Sequence, residues 1–185
     1  MQFIFYMMKT HMYIDGANLY KSARELGFEI DYKKMYGWLR QKYNIDRIYL
    51  FLGFIDKMDY LYELLRICGY VVELKRTVNF GAYKIKGNCD TEIVLKIMVD
   101  VYKNQIENFI LVTGDGDFKC VIEHLVESGK QFHVIAPNEN RCSILLKHFY
   151  EHITYLNNLY HKFSTSISPK KETPGADASA QGFSS

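Results

Sequence analysis

Short runs of continuously apolar, β-branched and aromatic residues recur along this chain, separated by segments with apolar residues at helical spacing. Residues 47–54 (RIYLFLGF) and 109–112 (FILV) are apolar without alternation. A strand reads that way when both of its faces are covered, as in a parallel sheet sandwiched between helices. Similar strand-like runs occupy 11–14, 70–75 and 132–135. Helical spacing marks 16–26, 58–68, 90–103 and 118–128, with Gly69 and Gly129 at two of the ends. Asp31 is placed to cap a helix reaching Tyr43. Residues 141–150 read as a further helix and 157–163 as a last helical turn or two. Strand and helix in regular succession predict a doubly wound α/β domain whose mostly parallel sheet has about five strands.

Composition narrows the functions open to such a domain. With 48% hydrophobic and 24% charged residues the chain is neither disordered nor polyionic. A net charge of +2 excludes a histone-like binder, so any nucleic-acid contact must come from a local patch. No apolar run reaches the ~18 residues that span a bilayer, so no membrane partner is expected. Residues 1–8 (MQFIFYMM) are apolar but short, and lack the basic leader and small-residue cleavage site of a signal peptide. Cys68, Cys89, Cys120 and Cys142 form no CxxC pair, which argues against zinc and disulfides and for a reducing cytoplasm. The domain is expected over residues 10–163. Residues 164–185, rich in Ser, Pro, Lys, Gly and Ala, have too little apolar side chain to order and are expected to form a flexible tail.

In open α/β sheets ligands bind beyond the carboxyl ends of the strands, where strand order reverses. Acidic residues gather at those positions. The first strand ends in Ile14-Asp15-Gly16-Ala17-Asn18, and the 109–112 strand in Thr113-Gly114-Asp115-Gly116-Asp117-Phe118. Between them, Lys86-Gly87-Asn88-Cys89-Asp90 opens the helix over 90–103. Singly, each carboxylate has an ordinary explanation: Asp90 and Asp117 as helix caps, Asp15 and Asp115 as Asp-Gly turn residues. Together, four carboxylates at one sheet edge repel each other unless a cation lies among them. Hard oxygen ligands with no His or Cys partner point to Mg²⁺ or Mn²⁺. The chain has no P-loop and no GxSxG elbow. His133 lies in a strand run and reads as packed, and Cys89 as a small buried residue.

The motifs IDGAN, KGNCD and TGDGDF in this order, with SGKQFHVIAPN and RCSILLKHF after them, resemble the NYN domain, the LabA-like branch of the PIN-like nucleases. The resemblance spans roughly residues 12–163. It implies a PIN-like three-layer α/β/α fold, a divalent-metal acidic centre and ribonuclease activity. Asp15, Asp90, Asp115 and Asp117 fall on the family's acidic positions and Asn18 on its asparagine, whereas Glu92 and Asp100 match less clearly. Asp100 lies about 15 Å of helix beyond Asp90, too far to share its metal. Asn18 is suited to orient water or a phosphate oxygen, or equally to hold the first-helix turn. Thr113 has a hydroxyl for a carboxylate or a metal water, or is simply a β-branched strand residue. The expected chemistry is hydrolysis of RNA phosphodiester bonds. The other reading is a catalytically silent RNA-binding or regulatory module.

Lys75, Arg76, Lys84 and Lys86 are interleaved with Phe80 and Tyr83 just ahead of Asp90. That pattern suits phosphates and unpaired bases of single-stranded RNA, or else a solvated hairpin. Lys119 and Arg141 are further candidates for phosphate contact. The 15 tyrosines are better explained by packing than by a base-stacking array. Aliphatic stripes on the later helices suit a homodimer as well as a core.

Overall fold

The computed structural model describes residues 9–76, 79–80, 83–84 and 89–166, without the side chains of 79, 80, 83, 84, 165 and 166. Ten strands and six helices follow in the order β1 (Thr10–Asp15), α1 (Gly16–Glu25), β2 (Phe28–Ile30), α2 (Tyr32–Tyr43), β3 (Arg47–Gly53), α3 (Asp59–Cys68), β4 (Val71–Lys75), β5 (Asn79–Phe80), β6 (Tyr83–Lys84), α4 (Asp90–Tyr102), β7 (Asn108–Val112), α5 (Lys119–Glu127), β8 (Gln131–Ala136), α6 (Ile144–Lys147), β9 (Ile153–Tyr155) and β10 (Ser164–Ser166). Six strands form one sheet in the order β4-β3-β1-β7-β8-β9, and every neighbouring pair is parallel.

Side chains alternate along each strand and so feed two cores. Met12, Ile14, Ile48, Leu50, Ile110 and Val112 are buried with Leu19 and Ala23 of α1, Met35 and Leu39 of α2, and Leu65 of α3. On the opposite face Tyr13, Tyr49, Phe51, Phe109 and Leu111 pack with Ile93 and Ile97 of α4 and with Val121 and Leu125 of α5. The result is the expected three layers, and each large side chain buried in them contributes roughly 1.5–3 kcal/mol. Tyr13 stacks on Tyr49 (5.6 Å) and on Phe109 (6.0 Å), so aromatic residues of three adjacent strands form one ladder under α4. The aliphatic stripes divide: Ile93, Ile97, Val121 and Leu125 are core, while Leu95 and Val126 face solvent.

The sheet has six strands where about five are expected, because β9 is only three residues (ITY), too short to register as a pattern. The helix expected over 141–150 shrinks to the single turn of α6 between two 3-10 turns, after Ser143 caps it through the Leu145 N–H. Ser164–Ser166, assigned by composition to the tail, pair antiparallel with β2, where the Asp31 N–H bonds the Phe163 carbonyl. β5 and β6 pair antiparallel after β4.

Gly16 illustrates how tightly α1 leaves β1. A Cβ there would lie 2.7 Å from the Phe51 carbonyl oxygen and 2.4 Å from Leu52 Cδ2. The glycine is required by close approach to β3, not by an unusual turn. Because the obstacle includes backbone, Gly16→Ala is expected to destabilise the fold by about 1–3 kcal/mol. A thermal melt checks this, since each kcal/mol lowers Tm by roughly 2–4 °C in a domain of this size.

Candidate metal centre

The chain runs outward from β1 through β3 to β4, returns by α4 and continues outward on the other side through β7, β8 and β9. Strand order therefore reverses between β1 and β7, the kind of switch point at which open α/β sheets bind ligands, and the start of α4 lies beside their carboxyl ends. Asp15 ends β1, Asp90 opens α4, and Asp115 and Asp117 follow β7.

Capping falls to a different pair from the one the sequence suggests. Asp15 caps α1, its Oδ1 accepting the Asn18 N–H at 3.0 Å. Asp115 caps the 3-10 turn Gly116–Phe118, its Oδ1 accepting the Asp117 N–H at 3.0 Å. Asp90 is the first residue of α4 and follows a Cys89 that makes no side-chain cap, while Asp117 lies inside the 3-10 turn. Asp31 caps α2 as expected, through the Lys34 N–H.

One oxygen from each of Asp90, Asp115 and Asp117 lies within 4.8 Å of the others. Asp115 and Asp90 are half-buried and Asp117 is exposed. Among the described residues no lysine or arginine forms an ion pair with Asp115 or Asp117. Asp15 is not one of the three, but it is buried behind them. Burial raises its carboxyl above the usual range, the Asn18 N–H opposes this, and the charges of Asp90 and Asp115 add to the rise. The Asp15 carboxylate also receives the Thr113 hydroxyl at 3.5 Å.

Thr113 and Asn18 lace the two loops together. The Thr113 oxygen accepts the Asp115 N–H (3.1 Å), and Asn18 Oδ1 accepts the Gly114 N–H (3.1 Å). Asn18 thus holds the β7 loop as well as standing in the first-helix turn. A third strap was not anticipated from the sequence. The Ser143 N–H donates to the Gly114 carbonyl at 2.9 Å, and a Cβ on Gly116 would lie 2.4 Å from Ser143 Oγ. The signal for it was Ser143 in RCSILLKHF, opposite two glycines that leave room for a packed loop.

The candidate RNA contacts are dispersed. Lys75 bonds Glu92 at 2.9 Å, Lys119 pairs with Glu123, and Arg141 pairs with Glu25 at 3.1 Å. Arg76 is exposed. Tyr83 and Lys84 lie on β6, while Lys86 and the segment 85–88 fall outside the described residues, as do the side chains of Phe80, Tyr83 and Lys84. Glu92 is thus occupied by a lysine. Asp100 lies away from the acidic cluster, completely buried among His11, Tyr13, Lys96 and Asn104. Burial pushes the Cys89 thiol up to about 11, so it stays protonated at neutral pH. His133 bonds the Thr154 hydroxyl at 2.9 Å, and burial lowers its pKa. Among the described residues no helix is long and apolar enough to cross a membrane.

Known proteins share this fold. Residues 9–156 match the family model of the NYN domain. The low amplitude and bright protein LabA of Synechococcus elongatus is 28% identical over 133 residues, 66% of this chain and 69% of LabA. A Vibrio parahaemolyticus protein of unknown function, solved by crystallography, superposes with a TM-score of 0.71 at 22% identity, covering 85% of this chain and 96% of that one. The crystal structure shares the fold, while the family match takes in the first strand, the start of α4 and the β7 loop together. The chain belongs to the NYN domain family.

Proposed function

We propose that this NYN domain is a divalent-metal-dependent ribonuclease that hydrolyses phosphodiester bonds in single-stranded RNA. The observation that carries the reading is the convergence of Asp90, Asp115 and Asp117 at the reversal point of the sheet. The donor set fits the metal: three carboxylates, no thiolate and no imidazole, as Mg²⁺ or Mn²⁺ prefers. Asp90, Asp115 and Asp117 would hold the ion, and Asp15, buried behind them, adds negative charge. Such an ion, when bound, supplies a more acidic water and offsets charge on the phosphoryl group.

The chain's own residues do the rest. Among the described residues nothing accepts the side-chain N–H groups of Asn18, leaving them for a phosphate oxygen. Thr113 fixes the Asp15 carboxylate and the Asp115 backbone with one hydroxyl. Lys119 and Arg141 can exchange their glutamate partners for phosphate, because exposed ion pairs are worth only about 0–1 kcal/mol. Lys75, Arg76, Tyr83, Lys84 and Lys86 would form the strand-binding flank. All four cysteines are free thiols, as a reducing cytoplasm would keep them.

The second reading, a catalytically silent RNA-binding or regulatory module, is favoured by the commitment of both Asp15 oxygens to protein donors. One assay separates the two. Labelled single-stranded RNA, with single-stranded DNA beside it, is incubated with Mg²⁺, Mn²⁺ or EDTA and with Asp90→Asn protein. Cleavage of RNA that needs the metal and the aspartate is expected. Cleavage surviving EDTA and the substitution indicates contamination, and binding without cleavage establishes the silent module.

A further inference from the structure

At the amino-terminal edge of the sheet, opposite the acidic centre, lies a cleft of about 450 Å³. Two strands lay its floor. Lys9 and His11 line it from the start of β1, and Arg47 and Tyr49 from β3. His11 and Arg47 are register partners on parallel strands, so their side chains leave the same face about 4.8 Å apart. α4 and the turn after it add Lys96 and Asn104.

Two features separate this cleft from an ordinary surface depression. The first is unspent positive charge. Lys9 and Arg47 are exposed, and neither forms an ion pair among the described residues. The acid at the rim, Asp46, accepts the Thr10 N–H on one carboxylate oxygen at 2.7 Å. The second is support from behind. Asp100, with no exposed surface, accepts from His11 Nδ1 (2.8 Å), Lys96 Nζ (2.7 Å) and Asn104 Nδ2 (2.5 Å), all three lining the cleft. A buried carboxylate that fixes the donors of a cavity wall preorganises them for a ligand. His11, its Nδ1–H given to Asp100, keeps the Nε2 lone pair for a hydroxyl of the ligand, and Lys96 keeps further N–H groups.

We propose that this cleft binds a phosphorylated small molecule of mononucleotide size, its phosphate between Lys9 and Arg47 and one of its hydroxyls against His11. A phosphate monoester carries about −1.5 to −2 charge at neutral pH, matching the two unpaired cations. The volume exceeds what a bare phosphate fills and lies in the range of roughly 300–1,000 Å³ that holds small ligands. The site shares no residue with the acidic centre and stands whether or not that centre cleaves RNA.

The test is an NMR titration of ¹⁵N-labelled full-length protein with inorganic phosphate and, separately, with adenosine 5′-monophosphate and with adenosine. Saturable shifts are expected at the amides of Lys9, His11, Arg47 and Asn104. Arg47→Glu and Lys9→Glu should each weaken binding by about tenfold or more, and Asp115→Asn should leave it unchanged. Tighter binding of the nucleotide than of phosphate supports a ligand of mononucleotide size, and equal binding of the two overturns it. Absence of saturable shifts with either probe, an equal response to adenosine, or full binding by both charge-reversal variants overturns the proposal. Both substituted residues are exposed, and unchanged amide shifts elsewhere verify that the variants fold.

Discussion

Asp115→Asn is expected to lower RNA cleavage on the order of 10²–10³-fold, the effect of removing several kcal/mol of charge stabilisation from a phosphoryl-transfer site. The substitution is nearly silent structurally, because an amide oxygen still accepts the Asp117 N–H that Asp115 accepts now. The charge alone is lost. Its companion, Asp15→Asn, should show the reverse of the usual cost. The Asp15 carboxyl is raised in the folded state, so the folded protein holds that proton more tightly than the unfolded chain. Stability from this group is therefore greatest at low pH and falls as pH rises through the window above its ordinary value of 3.8. At neutral pH in EDTA the amide variant should melt higher than the parent, and added Mg²⁺ should raise the Tm of the parent more than that of the variant, which keeps the three ligands but lacks the charge behind them. Scanning calorimetry with and without chelator reads both. A parent protein whose Tm ignores Mg²⁺, together with undiminished cleavage by Asp115→Asn, would remove the metal centre from the account.

Asp100→Ala is the largest stability loss expected. It leaves His11, Tyr13, Lys96 and Asn104 facing a void at the base of α4. Breaking a buried charge network from one side costs roughly 3–5 kcal/mol, or about 10 °C of Tm in a domain of this size. Burial by itself would raise the Asp100 carboxyl, but its four donors outweigh burial and hold it well below the usual carboxylate range. The sign is thus opposite to that of Asp15. Its stabilisation is present above the unfolded value near 3.8 and is lost as pH falls below that toward the folded value. Melts between neutral and acid pH should show the parent converging on Asp100→Asn as the acid is reached. A variant melting within a degree of the parent at pH 7 would contradict this.

Much of the fold was legible because buried parallel strands carry an unbroken apolar signature and glycines mark helix ends. What escaped was short or non-local. β2, β9 and β10 have three residues each; β2 and β10 owe their existence to each other from opposite ends of the domain, and β9 to the edge of β8. The acidic positions were readable because strand ends and acids coincide. Which acids cap was not, since that depends on which N–H each carboxylate meets in space. Asp100 shows how function and structure mimic each other in sequence. It falls seven residues after Ile93, on the same stripe of α4 as Ile97, and so could have been recognised as a charge placed inside a core. Its partners His11 and Tyr13, nearly ninety residues earlier, could not have been named from spacing.

The pairing of β1 with β7 has a consequence for how this molecule is made. Ile14 and Val112 are register partners across the centre of the sheet. A ribosome adding about 5–20 residues per second takes about 5–20 s to travel from one to the other. For that interval β1, β3 and β4 can assemble while the central strand still offers a bare edge to any neighbouring nascent chain. The half-built protein holds Asp15 but lacks the loop carrying Asp115 and Asp117. Aggregation is therefore a hazard of the first half of synthesis, and whatever chemistry the acidic crevice performs is switched on only in the second.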